Sequence, residues 1–494
     1  MSLSSLTPYL LTLLLLYPII RLYRNWVHRS NLFFDGCAEP YTFPTGPFGL
    51  PYITTLIRAF QASTHLPLLT SHFHLAGRKT FTFSALGMTN INTMDAENFR
   101  KVLSTGFTHF GFGSMRKANF ASSFGTHGFF TIDGEEWVRA RALVRPQFVF
   151  RREQMLEMMG GNFEGAFQRW LGKVRLDGEV VDLQPLFERL TLETSLKFLW
   201  GVEMDGKGEG GLNMSEEELG EFEGAFNGVQ IGLAYRHLLQ ALYFLGGGRE
   251  FNKQIRVLHS FVDRLVDSCI ALLPDANTDS ALSTDDSDKP KKYYFIHHLL
   301  SAGTPKEHLR DHTLNVLIAA RDSTALTLSF LLSHLAYEPV IFHALRSQIL
   351  AIYGPTLSTL LAKLAKNGPD SIETTPPLLA NCLSECLRLH PPIPLNQRYA
   401  FRDTSLPRGG GPDGTEPIFV AKGQRVDLNF YALHRDKDVW GADADEFRPE
   451  RWEEMENGTR RKVTAWEYQP FSSGKRICLG RGFAKVWHVI GKRV

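Results

Sequence analysis

Near its C-terminal end the chain reads FSSGKRICLG, from Phe471 to Gly480, and this stretch decides how the rest is understood. Gly474, four residues before Cys478, can take the left-handed conformation that a tight turn needs, and Gly480 lets the backbone come close to whatever the cysteine faces. Arg476 stands two residues upstream. Such a loop suits a thiolate aimed at a metal, with neighbouring N–H groups donating to the sulfur and tuning its electron donation. A cysteine alone is more often a small buried hydrophobe; the full spacing F-x-x-G-x-R-x-C-x-G is what makes the metal reading specific.

Working back toward the N-terminus, Glu385 and Arg388 in ECLR are three apart and share a helix face. As an exposed pair they would contribute only about 0.2–0.5 kcal/mol. Their helix is expected to start at Thr375 with Pro376 and Pro377 and to stop before Pro391. A longer one is expected from Thr304 as N-cap, with Pro305 in the first turn and Glu307 as capping-box partner, to just before Pro339. That is about 33 residues, roughly 50 Å. Because Leu314 through Leu335 is apolar on most sides, this helix should cross the core. At its middle lies AARDST, Ala319 to Thr324, where the Ser323 hydroxyl can bond back to the Ala319 carbonyl and bend or open the helix. TFTFSALGMTNINTM, from Thr80 to Met94, reads as a hairpin, followed by a helix capped by Asp95 and running through Ser104. Helical spacing continues to about residue 270, residues 274–292 read as an exposed polar loop, and Arg402 to Trp452 as strands and loops.

These motifs together resemble the cytochrome P-450 haem-thiolate monooxygenases over about residues 1 to 484. The resemblance implies a mainly α fold with small β-sheets, a long central helix over haem b and a proximal loop carrying Cys478 as axial iron ligand. Phe471, Gly474, Arg476 and Gly480 would shape that loop. Haem propionates need cationic and hydrogen-bonding partners when buried; Trp137 and Arg141 in WVRAR, Arg398 after PPIPLNQ, and Arg476 match the family's set. AARDST resembles the oxygen-activation segment, with Ala320 in place of the usual glycine and Ser323 in place of the usual threonine, so Asp322 and Ser323 would relay protons. Arg451 in PERW would join Glu385 and Arg388 in a buried structural trio.

The implied reaction puts one atom of O2 into a C–H bond and releases the other as water. Electrons would come from NADPH through a separate NADPH–cytochrome P-450 reductase, since the chain has no P-loop, and GKGEGG and GGGPDG, which match G-x-G-x-x-G, do not stand between a strand and a helix as a dinucleotide site requires. Lys475, Arg476, Arg481 and Lys485, with Arg139, Arg145, Arg151 and Arg152, are the expected docking face for that partner. GFFTIDGEEW, LRLHPPIPLNQR, RDTSLPRGGGPDG and HRDKDVWGADADEFRPERW look most like fungal membrane-bound members that hydroxylate n-alkanes and fatty acids. Pocket candidates are Phe110 to Phe124, Ile318, Ala319 and Pro394 to Asn396, mostly apolar as a lipophilic substrate requires. Two rivals stand beside this: a haem-thiolate enzyme that rearranges or dehydrates an oxygenated lipid without a reductase, and a truncated, silent form. The second arises because GRGFA runs into KVWHVIGKRV, where Lys485, His488, Gly491, Lys492 and Arg493 dilute the apolar helix that the family places there. The expectation is a prematurely ended or mis-spliced frame after about residue 484.

The 494 residues carry 54 Lys+Arg against 52 Asp+Glu, a net +2, which argues against a nucleic-acid-coating protein. The five cysteines are odd in number and scattered, so reduced thiols facing the cytosol are expected. Leu3 to Ile20 is uncharged and just long enough to span a bilayer, with Arg21, Arg24, His28 and Arg29 directly after it. Residues 1–20 therefore read as a single-pass signal anchor in the endoplasmic reticulum membrane, residues 21–51 as a basic, proline-rich connector, and 52–494 as the haem-binding body in the cytosol. On that side the sequons at Asn213 and Asn457 are chance matches. His308 and His312 are four apart but lack the Glu of H-E-x-x-H, so no metal edge is expected of their exposed face. No G-x-S-x-G supports a hydrolase.

Overall fold

The computed structural model describes residues 36–149, 165, 182–202, 212–272, 294–354, 356, 358–360, 362, 363, 376–482 and 484. The expected anchor, the basic cluster after it, the loop at 274–292, Thr375, Arg151, Arg152, Lys485 and the remainder of the C-terminal tail lie outside the described residues. The described chain falls into two compact units, one holding the chain up to Gly111 together with Asn396–Asn429, the other Phe112–Leu395 together with the chain from Phe430 onward.

In the first unit the helices are α1 (Leu50–Gln61), α2 (His65–Ala76) and α3 (Ala96–Arg100). The strands are β1 (Thr42–Phe43), β2 (Thr80–Ala85), β3 (Met88–Thr93), β4 (Phe110–Gly111), β5 (Leu395–Ala400), β6 (Thr404–Gly410), β7 (Glu416–Val420) and β8 (Arg425–Asn429). They form one sheet in the order β1-β2-β3-β8-β5-β4 and a second, β6-β7. The expected hairpin is β2–β3, with Ala85 opposite Met88. Leu86 and Gly87 both have positive φ, 49° and 76°, the mirror-image turn whose twist matches that of paired strands. Asp95 caps α3 as its position requires, accepting from the N–H groups of Glu97 and Asn98 at 2.9 and 3.2 Å, and a wider turn at Lys101–Thr105 extends the helix. Part of the proline-rich spacer behaves otherwise than expected. Thr42 and Phe43 pair in parallel with β2, and α1 begins at Leu50 with Pro51 in its first turn, where a missing N–H costs nothing.

The second unit is helical: α4 (Gly113–Phe124), α5 (Gly134–Val149), α6 (Gln184–Trp200), α7 (Glu216–Leu238), α8 (Gly248–Ala271), α9 (Phe295–Ser301), α10 (Lys306–Tyr337), α11 (Pro339–Tyr353), α12 (Pro377–Leu389), α13 (Phe430–Leu433), α14 (Lys437–Trp440) and α15 (Glu450–Glu456). α10, 32 residues long, is the expected core helix. Its start corrects the reading from sequence: Pro305, in extended conformation, is the N-cap and no side chain caps the helix. Thr304 instead gives its N–H to the Leu299 carbonyl and finishes the turn after α9. α12 likewise starts at Pro377, with Pro376 as its cap. The three short helices α13–α15 stand in a stretch read as strands and loops; Asp436 caps α14 by accepting from the Asp438 N–H at 3.1 Å.

α10 carries two hydrophobic cores. Leu309, Leu314, Val316 and Leu317 pack with α6, α7, α8 and α9; Ala325, Leu328, Leu331 and Leu335 pack with α11 and α12. Each buried leucine is worth roughly 1.5–3 kcal/mol. Between the two clusters Ile318 and Ala320 are half-buried, and Ala319 is exposed.

Candidate functional site

The cysteine loop is built on glycine freedom. Gly474 has φ 69°, a conformation that any residue with a Cβ resists. The short turn Gly474–Arg476 follows, and the loop closes where the Cys478 N–H donates to the Phe471 carbonyl at 3.0 Å. Cys478 keeps accessible surface, yet burial raises its thiol pKa, against the Gly480 N–H and the Arg141 charge, which lower it. A Cβ added at Gly480 would lie 3.9 Å from the Cys478 sulfur.

α5 supplies the loop's supports. Its first turn exposes Glu135 and Glu136 and turns Trp137 inward. One turn on, Arg141 donates to the Ile477 carbonyl at 2.8 Å. Arg476 reaches the other way, to Asp133 Oδ1 at 2.8 Å and the Ile132 carbonyl at 3.0 Å, with its guanidinium over the rings of Phe112 and Trp137 at 4.2 and 4.3 Å. The same Asp133 carboxylate accepts from the N–H groups of Phe112 and Gly113. Burial, together with the charges of Arg116 and Arg141 and offset in part by Asp133, lowers the Arg476 pKa to about 10. Arg116, Arg141 and Arg476 thus lie near enough for their charges to act on one another, and clustered guanidinium charge of this kind favours an anionic ligand. The structure therefore brings together Trp137, Arg141, Phe471, Gly474, Arg476, Cys478 and Gly480. Arg398 belongs to the first unit, where it is buried and donates to Asn396 Oδ1 and the Gln397 carbonyl at 2.8 and 2.7 Å.

At the middle of α10 the Ser323 hydroxyl donates to the Ala319 carbonyl at 2.7 Å, as its position suggested. The anticipated opening is not there; the helix runs on without a break. Asp322 points its carboxylate at Arg321 Nη1, 2.9 Å away, and its side chain is 25% exposed. Burial raises its pKa, Arg321 and a hydrogen bond from Gln230 hold it down, and Glu188 pushes it up. Arg321, with a side chain only 1% exposed, is the residue the sequence reading passed over. It bonds Glu188 on α6 at 3.1 Å, and Glu223 and Asn227 on α7 at 2.9 and 2.6 Å. The signal was present: a charge amid an apolar helix has to be paired.

Glu385, Arg388 and Arg451 meet with no exposed side-chain surface. Glu385 accepts two bonds from Arg388, at 2.8 and 2.9 Å, and one each from Arg451, the Trp452 indole and the Arg448 N–H, all at 3.1 Å. The remaining guanidinium donors serve carbonyls of His434, Ala444, Glu446, Trp440 and Asp443. The trio thereby ties α12 to α15 and to the segment that leads toward the cysteine loop.

Other expectations fare unevenly. Arg139, Arg145, Lys475 and Arg481 are exposed, but Arg476 is turned inward onto Asp133 and is no surface charge. His312 is buried rather than exposed, His308 stacks on His127 at 3.9 Å, and no metal-ligating group of three or more residues occurs among the described residues. Of the pocket candidates in the second unit, Phe112 and Phe124 are buried and Ile318 half-buried beside exposed Ala319. Phe110 and Asn396 fall in the first unit.

A family model described as cytochrome P-450 matches residues 44–488. The chain is 36% identical to cytochrome P-450 52A12 of Debaryomyces hansenii, over 91% of this chain and 83% of that one. It is 37% identical to cytochrome P-450 52A1 of Candida tropicalis, over 82% and 72%, and 34% identical to cytochrome P-450 monooxygenase g430 of Fusarium sp, over 91% and 77%.

Proposed function

The chain belongs to the cytochrome P-450 family, and from that premise we propose that it hydroxylates a long lipophilic substrate, an n-alkane or a fatty acid. It is a monooxygenase with haem iron as its cofactor, and in this family the electrons typically come from NADPH through a reductase. Bound haem supplies the activation of dioxygen that sends one atom into a C–H bond and the other into water.

The observation that carries the reading is the packing of the Cys478 loop against Arg141 and Arg476, with Arg141 donating to the Ile477 carbonyl and its charge acting on the Cys478 thiol. This donor set fits haem, which brings a metal for Cys478 and two carboxylates for the cations. Cys478 would hold the haem iron, with the Gly480 N–H and Arg141 favouring its thiolate form against the cost of burial. Arg141, Arg476 and the Trp137 indole would meet the propionates, as would Arg398. Asp322 would hold the proton delivered toward the dioxygen side, with Ser323 as hydroxyl relay. Ala319 and Ile318, which carry no polar side chain, would line the substrate side.

The substrate class rests on the fungal hydroxylase-like framework segments and on relatives numbered in the 52 series. We place the body on the cytosolic side of the endoplasmic reticulum membrane, anchored by residues 1–20, on the asymmetry of charge around that stretch; glycosylation at Asn213 or Asn457 would overturn the topology. The test of function is the full chain with an NADPH–cytochrome P-450 reductase, NADPH and isotopically heavy dioxygen, offered n-alkanes and fatty acids. One heavy oxygen atom per product molecule is expected. Product formed from an oxygenated lipid without NADPH would establish the reductase-independent rival instead.

A further inference from the structure

Arg321 has more partners than a helix needs. Its Nη1 faces Asp322 Oδ1 and Asn227 Oδ1, its Nη2 faces Glu188 Oε2 and Glu223 Oε1, and the guanidinium lies 5.3 Å over the ring of Phe226. One buried cation therefore serves three carboxylates on three helices, α6, α7 and α10. Arg189 on α6 contributes a second cation at the edge, but it is shared among Glu193 at 3.0 Å, Glu216 at 2.5 Å and Glu223 at 3.6 Å. Negative charge outnumbers positive in this cluster, a condition under which one carboxyl retains a proton. Asp322 is the member next to Ser323 and to the exposed face at Ala319.

We propose that Arg321 is a positioning residue for oxygen activation: by dividing one guanidinium among Glu188, Glu223 and Asp322, it aims the Asp322 carboxyl and couples it to the acidic groups of α6 and α7. This rests on the reading of Asp322 as proton carrier. The charged groups facing Asp322 are Arg321 on its own helix and Glu188 on α6, with Glu223 on α7 and Arg189 on α6 acting through the shared guanidinium. When α7 carries Glu223 and Asn227 against Arg321, less of that charge is left for Asp322. Loss of the Glu223 carboxylate alone, with the Gln230 hydrogen bond from α7 still in place, leaves more of that charge for Asp322 and favours release of its proton.

The test is an infrared pH titration of the full-length protein, in which the Asp322 carbonyl band is identified by its loss in Asp322→Asn. Arg321→Gln should raise the midpoint of that band by about 1–3 pH units, and Arg321→Lys, which keeps the charge, should leave it near wild type. Glu223→Gln should move it the opposite way, because a competing carboxylate is gone. That variant decides alone if Arg321→Gln does not fold. An unmoved midpoint in Glu223→Gln, or a shift in Arg321→Lys as large as in Arg321→Gln, overturns the proposal. The reading of Asp322 as proton carrier fails separately, if Asp322→Asn turns substrate over at the wild-type rate.

Discussion

Replacing Glu385 by alanine should cost far more than its spacing on a helix suggests. Five donors converge on this carboxylate, from Arg388, Arg451, Trp452 and the Arg448 backbone, and both arginine side chains have no exposed surface. Removing the acid leaves the Arg388 guanidinium in the interior without its counter-charge and Arg451 with Asp443 alone, 3.0 Å from its Nη1, a change that costs about 3–5 kcal/mol when one partner of a buried pair is lost. That is a large share of the roughly 5–15 kcal/mol that separates folded from unfolded in a typical domain. Glu97 and Arg100 provide the control, with the same three-residue spacing and a 3.2 Å contact but side chains about half exposed; Glu97→Ala should cost less than about 1 kcal/mol. Urea unfolding of the detergent-solubilised proteins, followed by circular dichroism, measures both. If Glu385→Ala loses no more than Glu97→Ala, the claim that this trio holds α12, α15 and the segment leading to the cysteine loop together is refuted.

Gly474→Ala should lose about 1–3 kcal/mol by forcing a Cβ into a left-handed turn, seen as a lower urea midpoint. Asp322→Asn should cut the turnover number about a hundredfold or more, as loss of a positioned proton donor does, with substrate binding spectra unchanged. Asp133→Asn should destabilise the haem-free chain more than the haem-loaded one, because propionates replace the counter-charge that Arg476 loses; paired melting curves decide this. Burial lowers the pKa of His312 to about 4, and of His390 and His434 to about 3. In each case the unfolded chain binds the proton first as pH falls below about 6.5, so stability should drop from there to about pH 4 for His312 and to about pH 3 for His390 and His434. His434→Gln should flatten that limb in a pH series of unfolding midpoints.

The parts of the site that were legible in sequence are those where chemistry and spacing coincide within a short stretch. The turn at Gly474, the hydroxyl bond from Ser323, the Asp95 cap and the pairing of Glu385 with Arg388 all depend on residues within five positions of each other. What sequence missed depends on partners far away in the chain. Arg321 meets Glu188 and Glu223 across more than ninety residues, and no local pattern marks them as partners. Arg476 was read as both a propionate contact and a surface docking charge; Asp133, more than three hundred residues upstream, settles that it points inward. Asp133 itself precedes Gly134, Glu135 and Glu136, the sort of acidic helix start that invites a capping role, yet its carboxylate serves Phe112, Gly113 and Arg476. Thr304 shows the reverse failure. Its local capping signal was sound, but the preceding helix α9 claimed its N–H first.

The central claim is that Cys478 carries the haem iron as a thiolate. The reduced-minus-oxidised carbon monoxide difference spectrum of the full chain, measured beside Cys478→Ala, tests it most directly. The account predicts a red-shifted thiolate-type Soret band in the wild type and none in the variant. The same band persisting in Cys478→Ala, or a wild-type band of the neutral-thiol type only, would contradict it.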